Sequence, residues 1–350
     1  MNSEQYGWPR WAKVLLGVLI VCAGVVGGLL LHSVFTDVGD SRTKVARAVE
    51  TKSSGPNNRQ LEAELKTLQR EQAKEGSALP PASAGSNGTA SPSSSGSSSA
   101  VLKPGAEQNF NELESSLGAE IGVSVAPFGW TAPVTFGHKT TGHAWSSLKV
   151  PIVVTVMRQG PLSPEQEAQA SAAITASDNE AAAALFASLG STAEASAAVE
   201  QVLGDSGSFT EVTESPPPSG AVSTWGQTDW SLEGSVSFYR ALACEELLGE
   251  TETDYVLGLM ESVISEQQWG LPSAGISDMV AIKAGWGPDG SASGPYLVRQ
   301  AGILRSSEHM GAIVTIAAQD ASGSFEAGVQ DLEAVAGWVA QNVRLDAGSC

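Results

Sequence analysis

One stretch divides this chain into parts that can and cannot build a core. Residues 77–106 are rich in Ser, Gly, Ala and Pro, with Ser91-Pro92-Ser93-Ser94-Ser95-Gly96-Ser97-Ser98-Ser99 at their centre. Such composition offers no apolar surface to bury, so the segment reads as a disordered tether. As a coil of about 30 residues it would span roughly 30 Å root-mean-square. Of 350 residues, 107–350 remain as a length that can close one large core. Charge divides at the same place: residues 1–106 carry 11 Lys/Arg and 8 Asp/Glu, residues 107–350 carry 8 and 30. The acidic part has no basic stripe, which argues against a nucleic-acid partner.

Ahead of the tether, Val14 to Leu31 is an uncharged run of 18 residues, extended by His32-Ser33-Val34-Phe35. A segment 14–35 of this kind is long enough to cross a hydrocarbon core of about 30 Å. Arg10 and Lys13, with Trp8 and Trp11, precede it, which puts residues 1–13 in the cytoplasm and everything after the span outside the cell membrane. A cleaved secretory signal is the competing reading, but the run is long for a signal and no Ala-x-Ala follows. Cys22 lies mid-run after Val21, unlike a lipoprotein acylation site. Residues 36–76 are mixed in charge, and Leu61, Leu65 and Leu68 suggest a short juxtamembrane helix.

Within 107–350, helical pattern covers 109–117, strand pattern 120–126 and 132–136, and Ala- and Glu-rich helical pattern the whole of 165–203. Ser215-Pro216-Pro217-Pro218 breaks the loop 205–224, and a further helix runs from Ser231, a plausible cap, to Leu248. Strands at 280–285, 296–304 and 312–318 and a closing helix 325–343 complete an α/β order: antiparallel sheet, helices on it, and an inserted all-helical lobe. Cys244 and Cys350 are the only cysteines beyond the apolar run, and in an exported domain they are expected to pair. The plainer alternative is that Cys244 is a buried small hydrophobe.

The chemistry is concentrated in three short motifs. Trp145-Ser146-Ser147-Leu148-Lys149-Val150-Pro151 places a hydroxyl and an amine one helical turn apart, ahead of the apolar run Ile152 to Met157. A serine needs a neighbour to take its proton, and Lys149 can do so when burial and a second cation hold it neutral. Ser177-Asp178-Asn179 follows between Ala-rich runs, and Lys283-Ala284-Gly285 follows the strand-like Met279 to Ile282; Lys283 is the candidate second cation. His138 and His143 read as loop or wall residues.

In this order the motifs resemble Ser-x-x-Lys, Ser-Asp-Asn and Lys-Thr-Gly of the serine β-lactamases and penicillin-binding D-alanyl-D-alanine peptidases, class A enzymes in particular. The resemblance covers 107–350. It implies that Ser146 is the nucleophile, that Ser177 relays a proton to the leaving nitrogen, and that Asn179 holds the Lys149 amine and a substrate amide. It also implies an oxyanion hole from the backbone N–H groups of Ser146 and Trp286, with Gly285 letting the strand approach. The implied partner is a peptidoglycan-type peptide or a β-lactam, and no cofactor or metal is expected.

Three departures accompany it. Ala284 stands where the family carries a hydroxyl that binds the substrate carboxylate, a loss of about 1.5–3 kcal/mol. Only 31 positions separate Ser146 from Ser177, about half the class A interval. Glu214 falls where class A enzymes carry a deacylating glutamate, yet Ser-Pro-Pro-Pro follows it, and a surface glutamate is the alternative. The expected function is therefore a membrane-anchored, extracytoplasmic serine hydrolase acting through an acyl-enzyme on cell-wall peptide. Its rivals are a β-lactamase and a non-catalytic module that binds cell-wall polymer or a division protein. The orientation is testable: protease added to intact spheroplasts is expected to cut the 77–106 segment and release the 107–350 domain, and full protection of that domain would reject it.

Overall fold

The computed structural model of the protein describes residues 101–350 except 130–131, 215–222, 278, 290–293 and 307–309. The span expected at 14–35, the juxtamembrane helix, and the tether up to residue 100 lie outside the described residues. Among the described residues no single helix is long and apolar enough to cross a membrane.

The chain opens with helix α1 (Ala106–Ser116) and strands β1 (Ala119–Pro127) and β2 (Val134–Gly137). A 3₁₀ turn, Trp145–Leu148, runs straight into α2 (Lys149–Gln159). Then come α3 (Pro164–Thr175), α4 (Asn179–Ser188), α5 (Thr192–Asp205), α6 (Leu232–Ala243) and α7 (Glu250–Glu261). Strands β3 (Met279–Pro288), β4 (Tyr296–Arg305) and β5 (Gly311–Asp320) and helix α8 (Phe325–Asn342) close the chain.

All pairings in the sheet are antiparallel, in the order β2-β1-β5-β4-β3, so β3 is an edge. Alternation decides the two faces. Ile121, Val123 and Val125 of β1 and Val314 and Ile316 of β5 meet Leu332, Val335 and Val339 of α8, with Phe110 of α1. The opposite residues Ile303 and Ile313 belong to a second core with Leu148, Ile152, Val236 and Tyr239 of the helical elements. Arg299 of β4 is buried between the layers, donates to the carbonyls of Gly142 and Trp230 and to Ser235 Oγ, and lies 5.6 Å from the Trp230 ring centroid. Burial, eased by nearby Tyr239 and acidic groups, lowers its pKa to about 10.

The structure adjusts the expected elements in three places. The continuous helix 165–203 is three helices, because Asp178 and Ser191 each turn a side-chain oxygen onto a backbone N–H and start a new one. Ser191 with Glu194 forms a full capping box, a signal that the Ala-rich composition obscures. The helix capped by Ser231 ends before Leu248: Glu245 adopts φ 58°, and Arg240 pairs with Glu246 across the turn at 2.5 Å. Helix α7 has no counterpart in the sequence pattern set out above. Val101 and Leu102, which composition assigns to the end of the tether, are buried here, and Leu102 bridges Val343 just past α8.

Cys244, the C-cap of α6, is bonded to Cys350, with Cα atoms 5.3 Å apart. The closed loop spans 106 positions. On the chain-entropy model a loop of about 100 residues is worth roughly 4–5 kcal/mol. Thiol titration of the denatured, unreduced chain should find one thiol, that of Cys22, and Cys244→Ser should lower unfolding free energy by about 4 kcal/mol in urea melts.

Candidate active site

Ser146 is the second residue of the 3₁₀ turn and is half-buried, while Lys149 is the first residue of α2 and is fully buried. Residues 149–156 are all buried, so α2 is a core helix whose first turn carries the site. Pro151 is tolerated because the first-turn N–H groups have no intrahelical partner. Trp145, just before Ser146, is held at φ 47°, a conformation a bulky residue keeps only when its surroundings impose it. Its indole lies so close against β3 that a Cβ on Gly287 would collide with the ring.

The Lys149 amine donates to Ser177 O at 2.5 Å, to Ser177 Oγ at 3.2 Å and to Asn179 Oδ1 at 2.8 Å. Spacing alone suggests a bond to the Ser146 hydroxyl; the amine is instead turned to the α3–α4 link, with three acceptors for its three possible protons. Ser177 sits in that link at φ 58°. Its hydroxyl is shared, because Lys283 Nζ approaches Ser177 Oγ at 3.0 Å and also donates to Ala284 O at 3.1 Å. Lys283, on β3, is fully buried as well.

Two fully buried amines around one hydroxyl cannot both keep their protons cheaply. Burial lowers the pKa of Lys149 to about 7, against a smaller upward pull from Asp178. Burial, and then the charge of Lys149, holds Lys283 well below the usual lysine range.

Gly285 lies on the same face of β3 as Lys283. A Cβ there would stand 2.5 Å from Ala144 O, 2.9 Å from Ser147 N and 3.0 Å from Ser146 N. Only a glycine lets the edge strand pass this close to the Ser146 turn. Ala284 is buried and Trp286 half-buried on the opposite face. The structure thus brings Ser146, Lys149, Ser177, Asn179, Lys283 and Gly285 to one seam. Glu214 is exposed and has no hydrogen-bond partner among the described residues. His138 pairs with Glu114 at the surface, and His143 pairs with Asp229 at 2.9 Å with its ring against Trp145. Sequence reasoning does not single out Trp145 and Gly287; the available signal is glycine at alternate positions of one strand, 285 and 287.

No family model matches the sequence, and no curated protein does. Solved structures do match. The chromosome-encoded β-lactamase of Vibrio parahaemolyticus has a TM-score of 0.52 at 14% identity over 67% of this chain and 98% of its own. A class A β-lactamase from Mycobacterium abscessus gives 0.52 at 15% identity over 67% and 98%, and an ancestral class A β-lactamase 0.52 at 16% over 67% and 99%. The domain therefore has the serine β-lactamase-like fold.

The close approach at Gly285 makes a sharp prediction. Gly285→Ala should force β3 off the nucleophile turn, costing about 1–3 kcal/mol in stability. A Gly285→Ala protein whose melt is unchanged from that of the parent chain would show that the seam opens freely.

Proposed function

We propose that this protein is a serine hydrolase of the penicillin-recognising type, anchored in the cell membrane through residues 14–35, and that it acts on cell-wall peptide outside the cytoplasm. The observation that carries the proposal is the fully buried Lys149 amine, held by Ser177 and Asn179 with a pKa near neutrality, one turn from Ser146. Two buried lysines carry a desolvation cost that an apolar pair would not, which supports a catalytic reading over a binding module.

In this reading neutral Lys149 takes the proton of Ser146 as Oγ bonds to the carbonyl carbon of the scissile amide. The carbonyl oxygen gathers negative charge and is met by the backbone N–H groups of Ser146 and Trp286. When the C–N bond breaks, Ser177 hands its proton to the departing nitrogen and is reprotonated from the Lys149 side. An ester on Ser146 remains, and water hydrolyses it. The exposed position of Glu214 favours slow release of that ester, and so disfavours efficient β-lactam turnover.

The full-length chain, incubated with a fluorescent penicillin and with peptide and ester donors, is expected to carry an adduct on Ser146 by mass spectrometry. Ser146→Ala should abolish it and Lys149→Ala should slow it by about 10³-fold with the fold intact. Because the active form is the neutral amine, the acylation rate should rise with pH through about 7 and then level off. Glu214→Gln should leave release of the acyl group unchanged. A folded wild-type chain that is acylated by none of the donors would favour the binding-module reading.

A further inference from the structure

Three consecutive carbonyls of the α3–α4 link are each held by a different donor. Ser177 O takes the Lys149 amine at 2.5 Å. Thr175 O accepts from the backbone N–H of Ile264 at 3.0 Å, and Ala176 O from Nε2 of Gln267 at 3.1 Å. Both of these donors lie in the segment after α7, where Ser265–Gln267 form a 3₁₀ turn. The link's own N–H groups at 176 and 178 reach no further than the end of α3, since both donate to Ala172 O, at 3.2 and 3.1 Å.

Gln267 is only 8% exposed. Because Ala176 offers a carbonyl, the end of the amide that faces it must be Nε2, and Oε1 is buried with no partner among the described residues. One donated hydrogen bond is thus what this side chain supplies. The segment is in turn anchored to the sheet. Gln300 of β4, which is buried, donates to Trp269 O at 2.9 Å and accepts from Leu271 N at 2.8 Å. It pairs across the strands with Ala284, next to Lys283. Two glutamine amides therefore connect the strand pair that carries Lys283 to the link that carries Ser177, whose hydroxyl both lysines share.

We infer that Gln267 is a positioning residue of this site: through Ala176 O it sets where the carbonyl and hydroxyl of Ser177 stand relative to the two lysine amines. Ile264 N is its second clamp on the link, and Gln300 its anchor on the sheet. The inference deepens the hydrolase reading above, and its consequence for rate rests on that reading. With Nε2 removed, Ala176 O has to draw water, and water at the link reaches the Lys149 amine. Lys149 faces Asp178 from the link and Lys283 from β3, but burial is the largest cause of its lowered pKa. Admitting water weakens that cause, so the pKa rises from about 7 and a smaller fraction of the amine is neutral in mild acid.

The test follows the full-length chain by NMR with its lysines isotope-labelled at Cε, the Lys149 signal being the one lost in Lys149→Arg. Gln267→Met keeps the volume and removes the donor. We expect its Lys149 midpoint to lie at least about one pH unit above the parent's, with a thermal melt close to the parent's. Labelling of Ser146 by a fluorescent penicillin should fall about tenfold near pH 6 and recover towards the parent's rate near pH 9, because one pH unit changes the neutral fraction about tenfold. Gln268→Met is the control, since Gln268 Nε2 donates to Val263 O within the same segment and not to the link; its midpoint should stay at the parent's. If Gln267→Met fails to fold, Ile264→Pro replaces it: Ile264 is at φ −57° and ψ 151°, which proline adopts, so the N–H to Thr175 O is removed without backbone strain. A folded variant whose Lys149 midpoint is unmoved, or a control that moves it as far, overturns the inference and leaves the hydrolase reading standing. A shifted midpoint in a chain whose Ser146 is acylated by no donor overturns the hydrolase reading and leaves the positioning of Lys149 intact.

Discussion

Two fully buried lysine amines converge on one half-buried serine hydroxyl, and the rest of the domain is arranged around that contact. Neither amine has a carboxylate partner among the described residues. In such surroundings the charged form of a lysine is heavily penalised, and the second amine adds repulsion to desolvation. The penalty is relieved by giving up a proton rather than by finding a counter-ion. The lowered lysine pKa is therefore a by-product of how the two layers close on each other.

That closure is enforced from both sides. Apolar cores flank the sheet on each face, and Arg299 ties β4 to the Gly142 carbonyl and to α6, so the strand layer and the helical elements cannot slide independently. At the edge, β3 presses on the nucleophile turn through Gly285 and Gly287, where any side chain would intrude. The left-handed backbone at Trp145 and Ser177 marks the two points where this pressure meets the functional loops. The cost of this strain and of the buried amines is offset by the extensive cores and by a disulfide that fastens the end of α6 to the last residue.

The inner face of β3 supplies Lys283 and Gly285 to the seam, while its outer face packs Ala284 and Trp286 toward the core beneath α8. One strand thus divides two chemistries by its pleat alone.

Much of this is legible in the sequence. The order of Ser146-x-x-Lys149, Ser177-Asp178-Asn179 and Lys283-Ala284-Gly285 points to the fold, and β-branched runs with period two locate β1, β3, β4 and β5 to within a few residues, because alternation reflects burial on a pleated surface. Breaks in the Ala-rich region are harder to see, since composition speaks for helix while the caps at Asp178 and Ser191 act through single side-chain bonds. The resemblance already pointed to Asn179 as a partner of the Lys149 amine; only the tertiary structure showed that the amine also turns to the Ser177 carbonyl and hydroxyl, since spacing along one helix cannot reveal an acceptor 28 positions away. It alone placed Trp286, Trp269 and Phe325 together and left Glu214 exposed, because such proximity depends on how sheet and helices pack. Residue types and their order determined what chemistry was available; the packing of two layers against one strand edge decided which groups lose water, and hence which of them can react.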